Sequence, residues 1–250
     1  TWGAQGPATA RRRSARRDAR VGINICADSW NAEAPRAARE AGAGVLLVLN
    51  ASPYHVSKQR VRYDVMRKRV AETGMGLVYV NLVGGQDELV FDGGSFVLNR
   101  GGALTHQLPL FEEALGLVSL TDGDPQPGAI AHPIPLEAEV YGALLTGVRD
   151  YINKNGFPGA LLGISGGIDS ALVARIAVDA LGASNVTGVT MPSPYTSRAT
   201  LQDAKTLSKN LGIHCREIRI DVIFENYLKY LKPLFEGRPA DTTEENLQAR

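Results

Sequence analysis

The chain is poor in cysteine, in net charge and in long apolar runs, and each shortage excludes something. Two cysteines in 250 residues, Cys26 and Cys215, cannot build a disulfide framework, which points to a reducing, cytoplasmic setting. A net charge of +1 gives no ground for a nucleic-acid or membrane partner. No apolar run approaches the ~20 residues of a membrane-spanning helix. The four histidines are scattered, so no metal-ligand cluster is legible. What remains, 44% hydrophobic and 21% charged, is the composition of a globular protein with chain enough for one or two domains.

Acidic residues are also scarce at the start. Arg11, Arg12, Arg13, Arg16, Arg17 and Arg20 face only Asp18 in residues 1–20. An Arg-rich, acid-poor start fits a transit peptide or an RNA-binding arm. Transit peptides are also Ser-rich, and a single Ser occurs here. The reading adopted is a disordered or unrelated end.

From Val21 the pattern is orderly. Val21–Ile25 reads as a buried strand ending at Cys26, Pro35–Ala41 as a helix opened by proline, and Val45–Leu49 as a buried strand. Lys58–Thr73 reads as a helix with many cations and Leu77–Leu82 as a strand. A Gly-rich stretch, Gly84–Gly94, leads into a strand Ser95–Leu98, and Asn99-Arg100-Gly101-Gly102 is a hairpin turn. Residues 21–120 are therefore expected to form an α/β sandwich. Thr121–Pro135 has the Pro/Gly content of a linker. Residues 136–250 open with a long helix, Leu136–Asn155. Strands at Ala160–Leu162, Val186–Met191 and Cys215–Ile220 then alternate with helices at Ser170–Leu181, Leu201–Leu211 and Val222–Leu231. Repeated βα units predict a doubly wound parallel sheet. The tail Asp241–Arg250 reads as a helix start with an acidic first turn.

The most informative run is Gly163-Ile164-Ser165-Gly166-Gly167-Ile168-Asp169-Ser170. It follows a strand and opens a helix, so unpaired N–H groups and the helix dipole converge on one point, an anion site. The glycines admit a phosphate close to the backbone, and Ser165 and Ser170 add hydroxyls. Asp169 would repel a phosphate unless a cation sits between them, so the run implies a nucleotide phosphate with Mg²⁺ at Asp169. A helix cap is the competing role for Asp169. The Gly-Lys-Ser/Thr ending of a Walker loop is missing.

This loop resembles the pyrophosphate loop of the ATP pyrophosphatases, which activate a carboxylate or carbonyl by splitting ATP into AMP and pyrophosphate. Four other runs resemble the nitrilase superfamily of carbon–nitrogen hydrolases. They are Asn24-Ile25-Cys26-Ala27-Asp28-Ser29-Trp30, Asn50-Ala51-Ser52-Pro53-Tyr54, Tyr79-Val80-Asn81 and Gly84–Ser95. The two likenesses in one chain, over about Val21 to Arg250, resemble the glutamine-dependent NAD⁺ synthetases. So do Met191-Pro192-Ser193-Pro194-Tyr195-Thr196-Ser197 and Glu245-Asn246-Leu247-Gln248-Ala249-Arg250.

The resemblance implies a partial nitrilase-like α/β sandwich followed by a partial, doubly wound ATP-pyrophosphatase domain, in a homo-oligomer. It implies a cytoplasmic ligase that uses ATP and Mg²⁺ to amidate deamido-NAD⁺ with ammonia released from glutamine. Cys26 would be the nucleophile, and Ser52 and Lys58 would hold glutamine. Gly163, Ile164, Ser165, Gly166, Gly167, Ile168, Asp169 and Ser170 would hold ATP, and Asn246 would contact deamido-NAD⁺. On residue type alone, Cys26 fits a core position and Lys58 a solvated helix cation as well. The family's general base Glu and its oxyanion-stabilising Lys lie before the nucleophile, yet no Glu or Lys precedes Cys26 here. Ala27 also stands where the family has Glu, and the family's later Thr-Gly-Asn-Lys-Ser-Glu segment is not found. A thiol without its base relies on a few per cent of intrinsic ionisation, and a missing donor costs about 2.7–4 kcal/mol at the oxyanion. Little turnover is expected of this polypeptide by itself. Two alternatives stay open: a nucleotide-binding or assembly module, and another glutamine-dependent ATP pyrophosphatase such as a GMP synthetase or a tRNA-modifying enzyme.

Overall fold

The computed structural model describes residues 9–10, 20–234, Thr242 and Asn246. The chain divides into two compact units, Thr1–Asp150 and Tyr151–Arg250.

The first unit is built on a six-stranded sheet. Its strands are β1 (Thr9–Ala10), β2 (Val21–Ile25), β3 (Val45–Asn50), β4 (Gly76–Asn81), β7 (Phe96–Leu98) and β8 (Leu104–Gln107), in that spatial order. Strands β2, β3 and β4 are parallel, and the outer pairings are antiparallel. Parallel neighbours need crossovers, and α1 (Glu33–Glu40) and α2 (Lys58–Thr73) supply them. The side-chain period of two puts Leu46 and Val48, Leu77 and Tyr79, and Phe96 and Leu98 on one face. There they pack on Ala38 of α1 and on Met66 and Val70 of α2. Each such side chain contributes about 1.5–3 kcal/mol when fully buried.

Strands β5 (Val83–Gln86) and β6 (Leu89–Asp92) form a separate antiparallel hairpin. Sequence reading left Gly84–Gly94 without strands, because Gly and Asp are poor strand formers. The hairpin is anchored where the Gly85 N–H donates to Asp150 Oδ2 at 2.7 Å. Asp150 lies on α3 (Leu136–Lys154), which begins where the long helix was expected. The segment Thr121–Pro135, read as a linker, lies along this unit. Asp124–Pro125 (β10) pairs with Leu120–Thr121 (β9), Pro125 is buried, and Ile130 bridges to Gln107. Within the Arg-rich end, Thr9–Ala10 pairs with Val21–Gly22 at the edge of the sheet. The rest of residues 1–19 lies outside the described residues.

The second unit holds three parallel strands, β11 (Ala160–Gly163), β12 (Val186–Thr190) and β13 (His214–Glu217), in sequence order. The helices α4 (Ile168–Leu181), α5 (Arg198–Leu211) and α6 (Asp221–Leu231) follow them in turn. The expected βα repeat is present, with small shifts at element ends. Helix α4 starts two residues before Ser170, and β13 stops three residues before Ile220. Ile164, Ala174 of α4 and Ala204 of α5 meet in one buried cluster, and Ala177, Val186 and Ile213 in another. No described helix is long and apolar enough to cross a membrane.

Candidate functional site

Cys26 was expected at the end of a buried strand, and a core role was one reading of it. It is exposed instead. Strand β2 ends at Ile25, and Cys26 opens a 3₁₀ turn, Cys26–Trp30, with φ at +50°. An L-residue adopts that conformation only when its neighbours impose it. Here the Ile25 N–H donates to Asp28 Oδ2 at 3.1 Å, and the buried Ser29 hydroxyl donates to the Cys26 carbonyl at 3.2 Å. The thiol is thus presented on a sharp turn that the next three residues hold.

Ser52 follows β3, and Lys58 is the first residue of α2. The 3₁₀ turn carrying Cys26 packs against both β3 and α2. Lys58 Nζ lies over the Trp30 ring, 4.7 Å from its centre, a cation–π contact that ties α2 to the turn. The structure therefore gathers Cys26, Ser52 and Lys58 at the carboxyl ends of parallel strands. Ser57, just before α2, is also left-handed, with φ at +66°.

Sequence reasoning assigned nothing to the residue that organises this corner. Arg62 is fully buried, four residues after Lys58. Its Nη1 and Nη2 donate to Asp92 Oδ2 and Oδ1 at 2.6 and 2.8 Å. Nη1 also donates to Gln59 Oε1 at 3.1 Å, and Nη2 to the Ser52 carbonyl at 2.8 Å. Nε donates to Ser52 Oγ at 3.4 Å, a contact Nη2 shares at 3.3 Å. All five guanidinium donors are used, as a buried Arg requires. Asn81 closes the network, accepting the Ser52 N–H at 2.9 Å. A signal for Arg62 was present: with Met66 and Val70 it falls on the helix's inward stripe.

Two tyrosines border this corner. Burial raises the Tyr79 hydroxyl above its ordinary pKa, against the lowering effects of Arg62 and Ser52. Tyr54 is pushed up to about 12, by burial first, then by the facing Glu139 carboxylate and by Asp92. Among the described residues, neither hydroxyl meets full hydrogen-bond geometry with a partner. Two cavities of 580 and 650 Å³ also occur in this unit, and none of Cys26, Ser52 and Lys58 lines either.

In the second unit the run Gly163–Ser170 links β11 to α4. Gly166 has φ at +87°, and a Cβ there would stand 2.3 Å from the Thr200 carbonyl oxygen of α5, so only glycine fits. The serines turn into the loop. Ser165 Oγ accepts the Gly167 N–H at 3.2 Å, and Ser170 Oγ accepts the Ser165 N–H at 3.2 Å. Ser170 also donates to the Gly167 carbonyl at 2.9 Å. Two of the amides expected to face a ligand are therefore used internally. Those of Ile168, Asp169 and Ser170, in the first turn of α4, have no intrahelical acceptor. A 430 Å³ cavity beside the loop is lined by Ser165 and Ser170, and by Met191, Pro192, Tyr195 and Thr196. Ser197 caps α5 there through the Thr200 N–H at 3.0 Å.

Asp169 is exposed on that first turn, and no cap bond from it closes α4. One carboxylate beside a loop that would cradle phosphate fits Mg²⁺ held largely by phosphate oxygens and water. Among the described residues, no cluster of three or more His, Cys, Asp or Glu is set to hold an ion. Asn246 is helical and exposed, and its flanking residues lie outside those described.

Comparison with known proteins agrees with both halves. The carbon-nitrogen hydrolase family model matches residues 5–126, and the NAD synthase model residues 140–250. A glutamine-dependent NAD(+) synthetase of Thermotoga maritima is 44% identical over 92% of this chain and 46% of its own length. That of Rhodobacter capsulatus is 45% identical over 92% of this chain and 42% of its own. The solved glutamine-dependent NAD+ synthetase of Acinetobacter baumannii, in complex with ADP, superposes with a TM-score of 0.87 at 38% identity. It matches over 98% of this chain and 47% of that one. The chain spans about half the length of the relatives it matches.

Proposed function

This chain belongs to the glutamine-dependent NAD(+) synthetases, and from that membership we propose that it serves the ATP-dependent amidation of deamido-NAD⁺ with ammonia taken from glutamine. The observation that carries the reading is Cys26, exposed on a held left-handed turn, in one chain with a glycine loop that opens α4.

In the first unit Cys26 Sγ would attack the side-chain amide carbon of glutamine. Ammonia leaves, and water then cleaves the thioester to glutamate. Ser52 and Lys58 would hold the glutamine. In the second unit the amides of Ile168, Asp169 and Ser170 would take ATP phosphate oxygens at the positive end of α4. The nicotinate carboxylate attacks the α-phosphorus and pyrophosphate leaves. Ammonia attacks the resulting acyl adenylate and AMP leaves. A carboxylate is a poor electrophile, so the mixed anhydride is what makes the substitution feasible. When bound near Asp169, Mg²⁺ would offset the charge that grows as pyrophosphate departs. Asn246 would contact deamido-NAD⁺, in a homo-oligomer of the cytoplasm.

The test has two readouts: exchange of labelled pyrophosphate into ATP, and a glutamyl adduct on Cys26 seen by mass after incubation with glutamine. Exchange that requires deamido-NAD⁺, together with the adduct, supports the reading. Exchange that requires xanthosine monophosphate or tRNA instead assigns the chain to another ATP pyrophosphatase. Nucleotide binding with neither signal leaves a binding module.

A further inference from the structure

The buried guanidinium of Arg62 is more than a strut, because of how it uses Ser52. Ser52 is 7% exposed. Its carbonyl accepts from Arg62 Nη2, and its Oγ faces both Nε and Nη2. A hydroxyl carries one proton and two lone pairs. With its acceptor side turned to a cation that cannot be deprotonated, the remaining function of Ser52 Oγ is to donate. The cation is itself fixed. Asp92 holds its fork at two points, and Gln59 takes the remaining Nη1 proton. The Ser52 N–H is fixed by Asn81, so neither backbone nor side chain of Ser52 is free to turn.

We propose that Arg62, clamped by Asp92, is a positioning residue that makes Ser52 a one-way hydrogen-bond donor toward an acceptor oxygen of the ligand. This rests on the reading of Ser52 as a glutamine contact, and it specifies the chemistry of that contact. The acceptor is a carboxylate or amide carbonyl oxygen, and an ammonium group has no place there.

A double-mutant cycle on the full chain tests it, with Ser52→Ala, Arg62→Lys and both together. Glutamine affinity is read calorimetrically, and unfolding by denaturant is followed in parallel. Lysine keeps the charge but not the fork. Each single change is expected to weaken glutamine binding about tenfold, the scale of one charge-assisted hydrogen bond. The double variant should bind no worse than the weaker single one, because both changes remove the same donor. Arg62→Lys should lower the unfolding midpoint in both backgrounds. A merely structural Arg62 would weaken binding equally with Ser52 present or absent, and that result overturns the proposal. Should Arg62→Lys not fold, Asp92→Asn carries the same cycle, since it loosens the fork without changing its shape.

If the unaltered chain binds no glutamine, the glutamine reading fails, and the positioning is judged by amide exchange alone. The Ser52 N–H should then exchange slowly and accelerate at least about tenfold in Arg62→Lys. Unchanged exchange overturns the positioning role.

Discussion

Gly166→Ala is the sharpest probe of the loop Gly163–Ser170, because its neighbour supplies the control. At Gly166 the backbone is left-handed, with φ at +87°, which costs an L-residue roughly 1–2 kcal/mol. The added Cβ would lie 2.3 Å from the Thr200 oxygen and 2.9 Å from Thr200 Cγ2. Backbone cannot fold away as a flexible side chain can, so the loop or the start of α5 must shift, at a further ~1–3 kcal/mol. The expected loss is about 2–5 kcal/mol. Gly167 differs on both counts. Its φ is −84°, and a Cβ there meets only Ser165 Oγ, at 3.5 Å. For Gly167→Ala, a cap loss of about 1 kcal/mol opposes an unfolded-state gain of ~0.4–1 kcal/mol, so the net is near zero. The readout must be local to this loop and its neighbours, and hydrogen exchange of β12 and α4 amides is. Protection there should fall about 30-fold or more in Gly166→Ala and stay unchanged in Gly167→Ala. ATP affinity should fall with it, since the loop must leave the shape that aims its amides. Equal behaviour of the two variants would refute the derived loop geometry.

Other outcomes follow from the same network of contacts. Arg62→Met strands the Asp92 carboxylate in the core and should cost about 3–5 kcal/mol, read as the loss of denaturant midpoint by Trp30 fluorescence. Ser29→Ala removes the donor to the Cys26 carbonyl, so about 1 kcal/mol of stability should go. The alkylation rate of Cys26 should change with it, while that of the half-buried Cys215 stays constant. Tyr54 has a folded pKa of about 12 against an ordinary 10.0, so folding holds its proton more tightly. Its contribution is therefore full below pH 10 and is lost as pH rises from 10 through 12. Tyr54→Phe should flatten that alkaline limb of the stability profile, and an unaltered limb would sink the assignment.

The sequence disclosed most where chemistry and periodicity coincide. Lys58–Thr73 was bounded correctly because glycine ends it and its inward stripe repeats. The loop Gly163–Ser170 was legible because its glycines, hydroxyls and carboxylate stand in register between a strand and a helix. Cys26, Ser52 and Lys58 were singled out through motif likeness, and the structure places them near neighbouring strand ends. What stayed hidden depends on tertiary context. The left-handed Cys26 cannot be read from residue type, because its conformation is imposed by Asp28 and Ser29. Arg62 looked like one of many cations on α2, since its burial becomes tolerable only once Asp92 arrives, 30 residues later. The hairpin of β5 and β6 was hidden by its glycines, which are weak strand formers held by tertiary contacts. The inward turn of Ser165 and Ser170 was missed for a related reason. The nearest partners for its hydroxyls are its own amides, a closure set by the turn's shape and not by residue type.

Charge placement at the start of α2 carries a functional signature of its own. Lys58, Arg60 and Arg62 fall within its first five residues, and its first turn has no acid. A helix N-terminus disfavours cations by about 0.3–1 kcal/mol each, so this arrangement is locally costly. Arg62 is neutralised by Asp92 and is sealed from solvent, which removes it from contact with any ligand. Arg60 is exposed, where water screens it. Lys58 alone is half-buried and held over Trp30, beside the turn that carries Cys26. The cation–π contact offsets about 0.5–1 kcal/mol of the dipole cost, and it holds the ammonium in place without cancelling its charge. A stability-driven sequence would set Asp or Glu here. The lysine that stands here instead, against the helix dipole and on an aromatic seat, supports the proposal that this corner meets an anionic group. The α-carboxylate of an amino acid whose side-chain amide faces Cys26 has that charge.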